Sequence, residues 1–358
     1  MQKTGTAYLP LHGGKAPAWL FQRMVKLARE IIYILCLEYG RKEVLCRLSD
    51  PFWFQAFGCV LGFDWHSSGV TTTVCGAIKE ALKDVNKELG IFVVGGKGKI
   101  ALKTPQELEK IGNRLGLEVS PLIYASRLTA KVDNVALQDG YQLYHHTLVF
   151  TTDGAWSVIQ QGMNPAQRYA RRYHWLGEQV KSFVCEPHSA ICAVKKERLV
   201  LNLVAQESEA TRKFSIDLVQ EKPEKISQEW QKIANLYLPN RHYLLSTDID
   251  PKRLQQNLTK AYSVCPQDFE SLLNVKGIGA KTLRALALIA EIIYGAKPSF
   301  KDPARFAFAH GGKDGHPYPV NRRVYDQSIE ILKEAVNAAK IGYTEKMKAL
   351  KRLHKFNL

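Results

Sequence analysis

The sequence predicts an α+β protein that is mostly helical, and three observations carry that reading. Apolar residues recur at helical spacing through most of the chain. The period changes to a β-like one across residues 141–163, around a Thr-Asp-Gly turn. Past residue 251 the helical period returns and holds to the end. The chain accordingly divides into residues 1–240, a mixed α+β domain with a β-hairpin-containing sheet that is the candidate catalytic domain, and residues 251–358, an all-helical domain.

Pro17 opens the first helix, whose apolar positions Trp19, Leu20, Met24, Leu27, Ile31 and Leu35 fall on one face, and Gly40 closes it. Ser49-Asp50-Pro51 reads as a second start, with proline at the first helical position. A third helix runs from Thr71 to Leu89 and ends at Gly90. Ile91–Val94 is a short strand leading into Gly95-Gly96-Lys97-Gly98-Lys99. Thr104-Pro105-Gln106-Glu107 has the form of a capping box, opening a helix that ends near Gly116. Residues 121–138 read as helix. Tyr141–Phe150 and Trp156–Met163 then form strands of a hairpin around Thr152-Asp153-Gly154, because Asp-Gly supplies the positive-φ positions such turns need. Arg198–Val204 adds a strand, residues 209–237 are helical, and 238–251 reads as a linker.

Composition bounds the function. The chain has 358 residues, 46% hydrophobic and 10% aromatic, enough to bury real cores and to exclude disorder or a disulfide mini-scaffold. Its seven cysteines, scattered from Cys36 to Cys265, show neither CxxC nor zinc-finger spacing and read as reduced thiols of a cytoplasmic protein. No run approaches the ~18 apolar residues of a membrane helix, so no membrane partner is expected. Net charge is +16, and residues 251–358 hold 19 Lys+Arg against 9 Asp+Glu. That concentration of positive charge points to a nucleic-acid polyanion.

Leu272-Leu273-Asn274-Val275-Lys276-Gly277-Ile278-Gly279-Ala280-Lys281-Thr282-Leu283 has the form of a helix-hairpin-helix. Glycines at 277 and 279 let backbone approach a phosphate, N–H groups at the second helix's start point at it, and Lys276 and Lys281 add charge without reading sequence. Ile278 and Thr282 complete the set. In this motif class the turn carbonyls can also hold a monovalent cation. Gly-rich, lysine-bearing loops at His310-Gly311-Gly312-Lys313, at His12–Lys15 and at Gly95–Lys97 have the composition of anion cradles but lack Walker spacing, which argues against an ATPase.

The strings Leu9–Lys15, Gln160-Gln161-Gly162-Met163-Asn164, Ala170-Arg171-Arg172-Tyr173-His174-Trp175 and Ala309-His310-Gly311-Gly312-Lys313-Asp314-Gly315 resemble DUF763, a family of mainly archaeal and bacterial proteins defined by sequence without an assigned function. The resemblance spans essentially the whole chain and implies no activity, so the chemistry rests on residues.

Metal-capable side chains concentrate in two places. Asp64 and His66 stand two apart in a polar segment between helices, where an extended backbone puts both on one side. The hairpin region offers Asp133, Asp139, His145, His146, Asp153, Gln160 and Gln161. Phosphodiester cleavage needs such groups to hold Mg²⁺ or Mn²⁺, which activates water and neutralises the scissile phosphate. Asp64, His66, Asp153 and His146 are the catalytic candidates, and Asp64, Asp139 and Asp153 the metal candidates. The hairpin layout resembles restriction-type nucleases, but the second strand offers Gln160-Gln161 where those have a carboxylate and a lysine two apart. Arg171 and Arg172, placed in a helix, suit phosphate contacts, as does Lys15. The expectation is a DNA-binding, metal-dependent, structure-selective nuclease of DNA repair or recombination, with RNA as the alternative polyanion. The other readings are a non-catalytic DNA-binding scaffold and a glycosylase or lyase using Asp302, 23 residues past Gly279. The oligomeric state is left open, a homodimer included.

Overall fold

The computed structural model describes residues 16–63, 68–236, 249–304 and 322–356. Its first layer is helical: α1 (Ala18–Tyr39), α2 (Arg41–Ser49), α3 (Pro51–Leu61) and α4 (Gly69–Leu82), followed by one turn, α5 (Asn86–Leu89). The Asp50 cap expected from Ser49-Asp50-Pro51 is present, its carboxylate accepting from the N–H of Phe52 at 2.8 Å and of Trp53 at 3.2 Å. The helix expected to run unbroken over 71–89 is interrupted after Leu82, and α2 is a further helix that the sequence reading did not separate from its neighbours.

The middle layer is an antiparallel sheet. Its strands are β1 (Ile91–Lys97), β3 (Gln142–Thr151), β4 (Trp156–Asn164), β5 (Tyr169–Leu176) and β6 (Ala190–Cys192), in the order β1-β3-β4-β5-β6. The short strands β2 (Leu137–Gln138) and β7 (Leu201–Asn202) pair separately. The β3–β4 hairpin forms as expected, with Phe150 opposite Trp156 and Gly154 at φ +85° in the turn. The strand expected over 198–204 is reduced to β7. Arg171 and Arg172, expected in a helix, lie instead on β5, the strand between β4 and β6. Both of its faces are covered, so the alternation that marks a half-exposed strand is absent.

The register assigns each face. Val149, Ile159 and Leu176 join the core built by α1–α4. Leu148, Val158, Tyr173 and Trp175 face the opposite core, with α6 (Thr104–Leu115), α7 (Ser120–Lys131), α8 (Glu209–Gln220) and α9 (Pro223–Ala234). Polar side chains cross the sheet at its centre on both sides: His145, Gln161 and Arg172 in one row, His146, Gln160 and Tyr173 in the next. The capping box expected at Thr104 does not form. Its hydroxyl donates to the Ala101 carbonyl at 2.7 Å, and the Glu107 carboxylate turns to Lys79 (2.6 Å) and to the N–H of Gly95 (3.1 Å). That carboxylate also occupies the Gly95 N–H that an anion cradle there would need.

Helices α10 (Pro251–Val264), α11 (Phe269–Asn274) and α12 (Ala280–Tyr294) join the core shared by α7–α9, whereas α13 (Arg322–Ala338) and α14 (Tyr343–Phe356) pack with α1 and α3. Both cores therefore draw residues from either side of the 240–251 stretch.

Candidate nucleic-acid interface and the buried polar clusters

The turn between α11 and α12 is built from its sequence upward. Asp268 caps α11, its carboxylate accepting from the Ser271 N–H at 2.7 Å while the Ser271 hydroxyl accepts from the Asp268 N–H. Val275 leaves the helix extended, and Gly277 turns the chain at φ +102°. A Cβ there would stand 2.8 Å from the Asn257 amide oxygen, so both backbone sign and space demand glycine. Ile278 is buried and pins the turn to the core. The N-cap of helix α12 is Gly279, so the first-turn N–H groups at the positive end of the helix dipole have no side-chain cap.

Lysines surround this end. Lys276, Gly277 and Lys281 are exposed, as is Lys260 of α10, whose chain passes 3.8 Å from where a Gly277 Cβ would stand. Beneath the turn, the Lys131 ammonium donates to the Ile278 carbonyl at 2.8 Å, and the Gln138 amide donates to the Ala280 carbonyl at 2.9 Å. Burial pushes the Lys131 pKa down from its ordinary value. The carbonyl of Ile278, a position where a monovalent cation was expected, thus already carries an ammonium. Thr282 differs from expectation: it is buried, and its hydroxyl accepts from the Asn257 amide at 3.1 Å, so it packs the motif and offers nothing outward. Ile278 likewise acts as an anchor.

Among the described residues, the predicted catalytic and metal candidates His146, Asp139 and Asp153 are not brought together. His146 lies in a buried chain of hydrogen bonds: its Nδ1 donates to Gln160 Oε1 and its Nε2 accepts from the Ser126 hydroxyl, both at 2.9 Å. The Gln160 amide continues to Asp133 at 2.6 Å, and Asp133 also accepts from Trp175 Nε1 (2.9 Å) and His188 Nε2 (2.5 Å). Burial pushes the His146 pKa down, keeping the ring neutral. Asp139 precedes β3, whereas Asp153 follows it in the exposed hairpin turn. A ten-residue strand separates them by about 30 Å, too far to share one ion. Among the described residues no group of three or more His, Cys, Asp or Glu side chains is placed to hold a metal.

Arg171 and Arg172 are fully buried on β5, which corrects their assignment to exposed phosphate contacts. Alternation sends them to opposite faces. Arg171 holds Asp302 through two bonds (2.7 and 3.0 Å) and Asp139 at 3.0 Å, with its guanidinium 4.6 Å from the Tyr141 ring centre. Arg172 donates to Gln55 Oε1 at 3.1 Å and to His174 Nε2 at 2.9 Å. Burial pushes the Asp139 carboxyl up against the opposing pull of Arg171. Asp302 also accepts from the N–H groups of Glu197 and Ala304, so both its oxygens are engaged inside the protein and the glycosylase reading loses its carboxylate. Asp64, His66, Lys15 and His310–Lys313 lie outside the described residues.

Lys131, Gln138, Asn257 and Lys260 were not singled out from the sequence. Asn257 and Lys260, three apart on α10, carried a helical-spacing clue, whereas Lys131 meets Ile278 across 147 residues and leaves no local trace. Among the described residues no helix is long and apolar enough to cross a membrane. Comparison with curated proteins and with solved structures returns no match. A family model described as a protein of unknown function, DUF763, matches residues 5–320. On that match over most of its length, the chain belongs to the DUF763 family.

Proposed function

We propose that this protein binds nucleic acid, DNA foremost, by gripping backbone phosphate at a helix-hairpin-helix formed by α11, the Val275–Gly279 turn and α12. One observation carries the reading: exposed Lys260, Lys276 and Lys281 converge with Gly277 on the uncapped start of α12. Such contacts neutralise phosphates without reading bases, so affinity depends on salt and not on sequence. The excess positive charge of residues 251–358 supports it.

The catalytic extension, cleavage with Mg²⁺ or Mn²⁺ in repair or recombination, rests on Asp64 and His66, because Asp139 and His146 are engaged internally. Fluorescence anisotropy with duplex, forked and single-stranded DNA and with RNA tests binding. The K276A/K281A variant should lower the slope of log affinity against log salt by roughly 2, about 0.9 per lost phosphate contact. An unchanged slope, or no binding of any polymer at low salt, sinks the reading. Denaturing gels of the same mixtures separate a nuclease, whose cleavage Asp64→Ala abolishes, from a non-catalytic scaffold.

A further inference from the structure

The segment that follows β1 has no role in the turn just described. Gly98–Lys103 winds in 3₁₀ turns beyond the edge strand, and its apolar side chains face outward: Ile100 is 50% and Leu102 79% exposed. Lys97, Lys99 and Lys103 flank them, all exposed, and among the described residues none is paired with a carboxylate. Glu107, the carboxylate at the base of the segment, is already taken by Lys79 and the Gly95 N–H. The segment is held in shape from below, by that clamp and by the Thr104 hydroxyl on the Ala101 carbonyl. It is a fixed crest of two aliphatic side chains among three cations.

Its position selects the occupant. Lys97 lies opposite His145, near the start of β3. The chain entering β3 comes from Lys131–Gln138, the stretch that holds the Ile278 and Ala280 carbonyls. The crest and the lysine-ringed turn therefore stand at the same end of the sheet. A duplex, with a phosphate charge per about 1.7 Å of axis, is a single polyanion long enough to meet both. Apolar side chains flanked by cations are the means by which proteins pry open base steps from the minor groove.

We propose that Lys97–Lys103 is a second contact to the same duplex, with Ile100 and Leu102 wedged into its minor groove and the three lysines on the bordering phosphates. The proposal rests on the binding reading above and adds to it a deformation of the DNA.

The test uses the full chain, a duplex carrying a donor and an acceptor dye at its ends, and anisotropy across a salt series. Wild-type protein should shorten the end-to-end distance, as a kink of about 20–90° does. The I100S/L102S variant should abolish that shortening and weaken binding about tenfold, which corresponds to about 1.4 kcal/mol. The K97A/K99A/K103A variant should lower the salt slope by roughly 2 to 3. Bending and slope unchanged in both variants, with K276A/K281A still weakening binding, overturn the crest and leave the turn standing. Wild-type protein that binds no DNA overturns both. Vesicles of phosphatidylcholine with phosphatidylserine form the second arm: binding there that I100S/L102S removes, with DNA bending untouched, overturns the proposal in favour of a lipid surface.

Discussion

Lowering the pH from 7 to 5 should destabilise this protein through His145, and the size of the loss can be worked from the site. The ring is buried in the central polar row, with Nε2 on the Thr147 hydroxyl at 3.0 Å and Nδ1 without a partner. Burial foremost, with the neighbouring His146 and Lys97 further disfavouring a charged ring, pushes its pKa down from 6.5 to about 3. The unfolded chain therefore takes up the proton first. Stability is intact above pH 6.5 and falls as pH drops from there toward 3. At 1.36 kcal/mol per unit, the loss between pH 7 and pH 5 is about 2 kcal/mol for this one group. Buried His146 and His174 act in the same direction, and Asp139, whose pKa is raised, acts in the opposite one. His145→Gln cancels those shared contributions. Urea unfolding followed by tryptophan fluorescence at both pH values should show wild type losing about 2 kcal/mol more than the variant on acidification. Equal losses would refute the assignment of a neutral, desolvated ring.

Asp302→Ala strips Arg171 of its bidentate partner and leaves the guanidinium buried; a loss of about 3–5 kcal/mol in chemical denaturation is expected, and a loss under 1 kcal/mol contradicts it. Gly277→Ala forces a side chain onto φ +102° and against Asn257; stability should fall by about 1–2 kcal/mol, with DNA anisotropy reduced at matched folded fraction. Lys131→Met removes the ammonium beneath the turn; affinity for duplex should drop about tenfold, while replacing K⁺ with Na⁺ at constant ionic strength leaves wild-type affinity unchanged. A strong K⁺ requirement would show instead that the turn recruits its cation from solution.

What the sequence disclosed follows local chemistry. The Asp153-Gly154 hairpin and the Asp50 cap were legible because each is decided by residues within a few positions. The glycine turn at 277–279 was legible for the same reason. Strand β5 was not: Arg171, Arg172 and His174 look like a charged helical face until Gln55, Asp139 and Asp302, far away in sequence, supply their partners. Thr104–Glu107 matched a capping box, yet Glu107 found stronger company in Lys79 across 28 residues. The candidate interface divides in the same way. Lys276 and Lys281 could be read from the string itself, whereas Lys131 and Lys260 arrive from other helices.

The placement of the last two helices bears on how the chain matures. Leu332, Val336, Ala349 and Leu353 complete the same core as Met24, Ile31 and Phe57, some 300 residues earlier. During synthesis the amino-terminal helices emerge long before their carboxy-terminal covering, and their apolar faces must wait for it. Closure over such a separation is slow, and the waiting surface is prone to aggregation. Truncation before Arg322 should therefore yield aggregated protein, and emergence of α13 and α14 from the ribosome should be the step that commits the amino-terminal layer to its native packing.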